Sequence, residues 1–209
     1  MKYIDLSHCI ENNMISFCEE EIPHIYGLSS IKKDGYDVKK LIITTHTSTH
    51  VDAPKHIFEH GKSIDQISLD TFSGKALTID CTKVDSCIDL DILNSYSLDN
   101  IDFILFYTGY DKVWNSIEFL KNYKYPSSKL CEYLCKSHIK GIGVDTISID
   151  DENNHHLPNH HILLEKEKLV IENLNNLHYI LNKKVDLFIF PLKISSGDGS
   201  PVRAIAKIL

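Results

Sequence analysis

The segment His46-Thr47-Ser48-Thr49-His50-Val51-Asp52-Ala53-Pro54-Lys55-His56 constrains this chain more than any other part of it. Three histidines and a carboxylate fall within eleven residues, all at even positions. The preceding Leu41-Ile42-Ile43-Thr44-Thr45 is rich in β-branched residues, which favours a strand. A strand over residues 39–51 that ran on through 52 would send alternate side chains to one face, so His46, His50 and Asp52 would converge. A helix would also join His46 to His50, but it would turn Asp52 about 200° away from His50. A lone histidine is usually a surface residue or a satisfied core residue. Two imidazoles and a carboxylate on one face, stopped by Ala53-Pro54, predict instead a first-row metal site with positions left open for water.

The chain has 209 residues, enough for one domain with a sizeable core. No internal repeat, low-complexity tract or linker rich in Pro, Gly or Ser divides it, so residues 1–209 are expected to form a single domain. A net charge of −7 without a basic stripe argues against nucleic acid as a partner. The opening Met1-Lys2-Tyr3-Ile4-Asp5-Leu6 lacks the apolar core of a signal peptide, and no apolar run approaches a membrane span. The six cysteines form no Cys-x-x-Cys pair. Together these features predict a cytoplasmic protein with free thiols and no membrane partner. Twelve histidines are an excess for this length, which directs attention to further metal ligands.

Short runs rich in Ile, Val, Leu and Phe predict strands at 3–8, 39–51, 76–81, 103–108, 141–145, 169–172, 187–191 and 203–208. Helices are predicted at 63–72, 89–96, 127–138 and 174–182. Their interleaving gives an α/β fold, and the strand-rich first half favours a mixed sheet. Two places offer further ligands. His155, His156, His160 and His161 lie in a polar stretch expected to be a loop, and Glu172 directly follows the apolar Leu169-Val170-Ile171. A carboxylate at the end of a buried strand needs a partner, either a metal or a basic side chain. Ligands of the His, Asp and Glu type without thiolate suit Zn²⁺ or Mn²⁺.

The segment 46–56 resembles the signature of the cyclase-like metal-dependent hydrolases, His-x-Gly-Thr-His-x-Asp-x-Pro-x-His, a family that includes bacterial kynurenine formamidase and isatin hydrolase. The resemblance extends along the chain. Ile4-Asp5-Leu6-Ser7-His8 is similar to the family's opening strand, and His60-Gly61-Lys62-Ser63-Ile64-Asp65-Gln66 to the turn after the signature. Tyr107-Thr108-Gly109-Tyr110 and Gly141-Ile142-Gly143-Val144-Asp145-Thr146 resemble two inner segments. His160 and Glu172, twelve apart, resemble the distal ligand pair, and Gly199-Ser200-Pro201-Val202-Arg203-Ala204 the C-terminal end.

The resemblance implies a swivelling β/β/α fold, a homo-oligomer and a site for two divalent ions. His46, His50 and Asp52 would hold one ion. Asp52 would bridge to a second, completed by His160 and Glu172. His56 would carry protons, although it shares the face of the ligands and could itself be one. The implied reaction is hydrolysis of a small aryl amide, foremost N-formyl-L-kynurenine to L-kynurenine and formate. Opening of another amide, lactam or lactone is the alternative. A non-catalytic relative would be expected to lose His56 first, and His56 is present. Two positions depart from the family pattern. Ser48 stands where the signature has Gly. Phe17 stands where kynurenine formamidases carry Trp, and the Pro-Gly-Asp that follows it there is missing. Phe17 is thus a candidate substrate-binding aromatic or a plain core residue.

Overall fold

The computed structural model describes residues 2–208. In chain order its strands are β1 (Lys2–Asp5), β2 (His24–Ser29), β3 (Val38–Ile42), β4 (His50–Asp52), β5 (Ser73–Asp80), β6 (Cys87–Ile88) and β7 (Phe103–Tyr107). They continue with β8 (Tyr125–Pro126), β9 (Gly141–Val144), β10 (Leu169–Glu172), β11 (Lys184–Phe188), β12 (Gly199–Pro201) and β13 (Ile205–Ile208). The α-helices are α1 (Ile31–Asp34), α2 (Ser128–Cys135) and α3 (Pro158–Glu165). Nine strands form one mixed sheet in the order β1-β13-β11-β5-β7-β9-β10-β4-β12. Its centre, β5-β7-β9-β10, is parallel, and the strands on either side are antiparallel. Among the described residues no helix is long and apolar enough to cross a membrane.

The central strands are covered on both faces, the usual state of parallel strands. On β7, Phe103, Leu105 and Tyr107 face one apolar cluster, and Ile104 and Phe106 face the other with Leu130, Leu134 and Leu163 from α2 and α3. This alternation explains why the sequence of β7 reads as an unbroken apolar run. β2 and β3 stand outside the large sheet as a separate hairpin.

Several predicted elements take other forms. The strand expected over 39–51 is two strands, β3 and β4, separated by a turn. Thr47 causes the break: its Oγ1 accepts the Thr44 amide at 2.9 Å, a side-chain bond that competes with the sheet ladder. Ser48 then takes a left-handed conformation, φ 60°, and β4 begins at His50. His46 therefore reaches the site from a turn, not by strand alternation. The helices expected at 63–72, 89–96 and 174–182 are short 3₁₀ turns, Ile64–Gln66, Leu69–Phe72, Leu90–Ser95 and Leu177–Ile180. The polar stretch around His160 is the start of α3. Pro158 opens that helix, where its missing N–H is not needed. The Asp150 carboxylate accepts the amides of Asn159 at 2.7 Å and His160 at 3.2 Å, the favourable place for an anion.

Candidate metal centre

β4 lies between β10 and β12, and the register of these strands builds the site. His50 pairs with Glu172 across β10 and with Pro201 across β12, while Asp52 pairs with Gly199. A side chain at Gly199 would meet His46 Cε1 and the Val51 carbonyl at 3.0 Å and Asp52 Oδ1 at 3.4 Å, so a larger residue here would press on the cluster. The result is a cluster around Asp52. His46 Nδ1 lies 2.8 Å from Asp52 Oδ1, His50 Nε2 3.3 Å from the same oxygen, and His160 Nε2 3.5 Å from Oδ2. Glu172 closes it from the other side, 3.4 Å from His50 Nε2 and 3.3 Å from His160 Nε2.

Each imidazole is steered by its second nitrogen. His46 Nε2 meets Asp198 Oδ2 at 2.8 Å, His50 Nδ1 meets the Ser48 carbonyl at 2.8 Å, and His160 Nδ1 meets Asp150 Oδ2 at 2.6 Å. Such outer partners fix the ring orientation and tautomer of metal-ligating histidines. Here they leave His46 Nδ1, His50 Nε2 and His160 Nε2 facing the two carboxylates. Asp52 is wholly buried, yet neither of its oxygens accepts a hydrogen bond among the described residues, and nor does His50 Nε2 make one. A buried carboxylate in that state needs a positive partner, which protonated imidazoles or a metal ion can supply. The donor set fits divalent ions at two adjoining places that share Asp52: His46, Asp52 and His56 could hold one, and His50, Asp52 and Glu172 another.

Electrostatics mark the same residues. Burial opposes a charge on His46, but Asp52 and Asp198 outweigh it and raise its pKa to about 9. Burial likewise opposes the charge on His50, where Asp52 and Glu172 prevail and carry the pKa to about 10. His160 moves the same way against burial, chiefly through Asp150. Asp52 and Glu172 are pushed below the usual carboxylate range, against their burial, by the surrounding imidazoles. His46 and His56 hold the Asp198 carboxyl well below that range as well. These shifts belong to the ion-free cluster; a metal ion binds deprotonated imidazoles and takes the place of their protons.

A sequence model for the family described as putative cyclase matches residues 4–151. The chain belongs to this family. The kynurenine formamidase of Bacillus cytotoxicus is 30% identical over 210 residues, covering 100% of this chain and 98% of the relative. That of Bacillus cereus is 29% identical over 208 residues, covering 99% and 97%. Among solved structures, isatin hydrolase A from Labrenzia aggregata bound to benzyl benzoate shares the fold with a TM-score of 0.88, at 24% identity, over 98% of this chain and 93% of its own.

This cyclase-family chain brings together six of the nine polar residues singled out from the sequence. His46, His50, Asp52, His160 and Glu172 surround one point, and His56 joins them, its ring 4.2 Å from that of His46. His56 Nδ1 lies 3.3 Å from Asp198 Oδ2. A cavity of about 200 Å³ opens beside the cluster, lined in part by Phe17, Trp114, Ile147 and Leu157. Phe17 is 64% exposed, so it borders the cavity as a rim and is not a core residue. His155, His156 and His161 are exposed and stand apart from the cluster. Three residues escaped the sequence reading. Asp198 and Asp150 act through histidines 152 and 10 positions away. Trp114, whose ring stacks on His8 at 4.0 Å, carries the aromatic wall expected only at Phe17. Asp150 was open to discovery as a carboxylate eight residues before Pro158, where a helix can begin.

Proposed function

We propose that the protein is a metal-dependent amidohydrolase of the arylformamidase type, cleaving a small aryl formamide such as N-formyl-L-kynurenine into the aryl amine and formate. The observation that carries this is Asp52: a wholly buried carboxylate with three imidazole nitrogens within 3.5 Å, each ring oriented by an outer partner. The full-length relatives named kynurenine formamidase support the choice of substrate. In this assignment His46, His50 and Asp52 would hold one Zn²⁺ or Mn²⁺, and His160 and Glu172 together with Asp52 a second, while His56, which stands beside His46 and Asp52, is kept for proton transfer. When bound, such ions supply a water acidified to a pKa of about 7 and polarise the substrate carbonyl.

The chain's own residues do the remainder. Asp198 fixes His56 at Nδ1 and leaves Nε2 free to take a proton from the attacking water and return it to the leaving nitrogen. Trp114 and Phe17 flank the aryl ring of the substrate. The apolar wall limits competing water. We read residues 1–209 as one such domain working in the cytoplasm on a small molecule, without nucleic acid or membrane.

A homo-oligomer belongs to the same proposal. The β2–β3 hairpin exposes Tyr26, Leu28, Val38, Leu41 and Ile42, and a lone two-stranded ribbon is marginal in water. A second copy covering it would remove both liabilities. Light scattering should then return at least twice the chain's 23.9 kDa, and a monomer would refute this part.

The deciding experiment is hydrolysis of N-formyl-L-kynurenine by protein loaded separately with Zn²⁺ and Mn²⁺, beside His56→Ala. Turnover should fall about 10²–10⁴-fold in the variant with its metal content unchanged. Loss of an ion in His56→Ala would instead make His56 a ligand alongside His46 and Asp52. A fully loaded enzyme that ignores the formamide but opens isatin would move the activity to cyclic amides.

A further inference from the structure

The cavity beside the metal cluster has an uneven supply of charge. Met14, Ile15, Phe17, Trp114, Ile147 and Leu157 make its walls apolar. Outside the His and carboxylate cluster, its polar lining is neutral except for Glu21. Glu21 is half-buried and ends a turn of three consecutive glutamates, Glu19–Glu21. Although the chain has 22 Lys and Arg residues, none of those described lines this cavity.

The cluster offers no spare positive charge either. Asp52, Glu172, Asp150 and Asp198 are four carboxylates in contact with its imidazoles, enough to balance two divalent ions. A substrate carboxylate entering here would lose water against apolar walls and find no Lys or Arg among the described lining residues and only imidazoles already matched by carboxylates, which is costly. An ammonium group would find Glu21.

We propose that Glu21 is a specificity-determining residue and that the site selects aryl amides whose side chain ends in an ammonium group over those ending in a carboxylate. The proposal rests on the hydrolase assignment for the word amide, but the charge preference belongs to the cavity itself. N-formyl-L-kynurenine carries both groups, so its decarboxylated, singly cationic analogue is the better substrate.

Trp114 is the chain's one tryptophan and lines the cavity, so its fluorescence reports occupancy. The test titrates Zn²⁺-loaded protein with three 2-aminophenyl ketones whose chains end in ammonium, methyl or carboxylate. These resemble products and need no turnover. The ammonium compound should bind about threefold tighter than the methyl one and roughly tenfold tighter than the carboxylate, with the gap narrowing in high salt. Glu21→Gln should bring the ammonium compound level with the methyl one, and Glu21→Lys should reverse the order. Equal binding of all three, tighter binding of the carboxylate, or no binding of the ammonium compound overturns the proposal. The matching formamides give the second arm. If none is hydrolysed while the binding order holds, the amidohydrolase assignment fails and the charge selection stands. If all are hydrolysed at equal kcat/KM, the selection fails and the assignment stands.

Discussion

His50, His160 and Glu172 approach Asp52 from two strands and a helix, whereas His46, His56 and Asp198 approach it from turns, and the two groups meet water differently. Side-chain exposure in the first group is 3%, 4% and 7%. In the second it is 19%, 26% and 37%. The inner residues stand on β4, α3 and β10, where strand register and helix capping hold them. The outer ones stand on the turn before β4, on the 3₁₀ turn Pro54–His56, and on the residue just before β12. An inner half on regular elements suits holding an ion permanently, because its geometry is over-determined. An outer half on turns suits exchange, because proton and substrate traffic needs access to solvent. Asp52 belongs to both halves.

The largest expected effect tests that shared position. Asp52→Asn removes the one carboxylate that meets His46, His50 and His160 together. Unfolding of the metal-free variant in urea should show a loss of about 3 kcal/mol, the lower end for breaking a buried pair, since the imidazoles can shed their protons. Metal content after loading should fall at both places, not one. A variant within 1 kcal/mol of the parent, or one that keeps an ion at full occupancy, would mean that the two halves do not depend on Asp52.

The sequence made the inner half legible for a physical reason. His50 and Asp52 obey strand alternation, and Glu172 ends an apolar strand where a carboxylate demands a partner. His46 does reach the cluster, but by another route than the one read from the sequence. Strand alternation does not carry it there; the Thr44–Thr47 turn and the left-handed Ser48 do. The short 3₁₀ turns read as helices because an apolar residue every three or four positions fits both, and length alone separates them. Asp198 was invisible because its partners are 142 and 152 residues away, and no local pattern marks a carboxylate that acts only through contacts made in three dimensions.

Behind the inner half lies a chain of hydrogen bonds that a pH experiment can isolate. The His8 amide donates to Thr49 Oγ1 at 2.9 Å, Thr49 Oγ1 donates to the Asn173 carbonyl at 2.6 Å, and Asn173 Nδ2 donates to the Ser48 carbonyl at 2.9 Å. That last carbonyl also orients His50. Burial lowers the His8 pKa from 6.5 to about 4, against a smaller pull from Asp5. Between those values the unfolded chain binds a proton that the folded chain refuses. The stability tied to His8 is therefore full above pH 6.5 and is lost as pH falls toward 4. The loss should be on the order of 2–3 kcal/mol. His8→Phe keeps a ring against Trp114 and cannot titrate, so its stability should fall less between neutral and mildly acidic pH. Parallel pH curves for parent and variant would show that His8 is not the titrating group.

Asp198→Asn sharpens the contrast between the halves. Asp198 is more than one-third exposed, so its loss should cost under about 1 kcal/mol of folding stability. Its effect should lie in function instead. An outer partner of a ligating histidine is typically worth about 10–100-fold in metal affinity or activity. Calorimetric titration with Zn²⁺ should find one weakened place, the one that includes His46, and one unchanged. Equal weakening of both would place Asp198 with the inner half.

The smallest effect concerns Ser48, the hinge between the two halves. Its φ of 60° is left-handed, which any residue with a Cβ adopts at a cost and glycine adopts freely. Its hydroxyl donates to the His8 carbonyl at 3.2 Å. Ser48→Ala and Ser48→Gly both delete that hydrogen bond, so comparing the two isolates the backbone. The glycine variant should be more stable than the alanine variant by about 1 kcal/mol, less whatever freedom glycine adds to the unfolded chain. Thermal unfolding of the pair measures this directly. If alanine is the more stable, the left-handed turn that precedes His50 is not strained, and the backbone does not set the residue at this position.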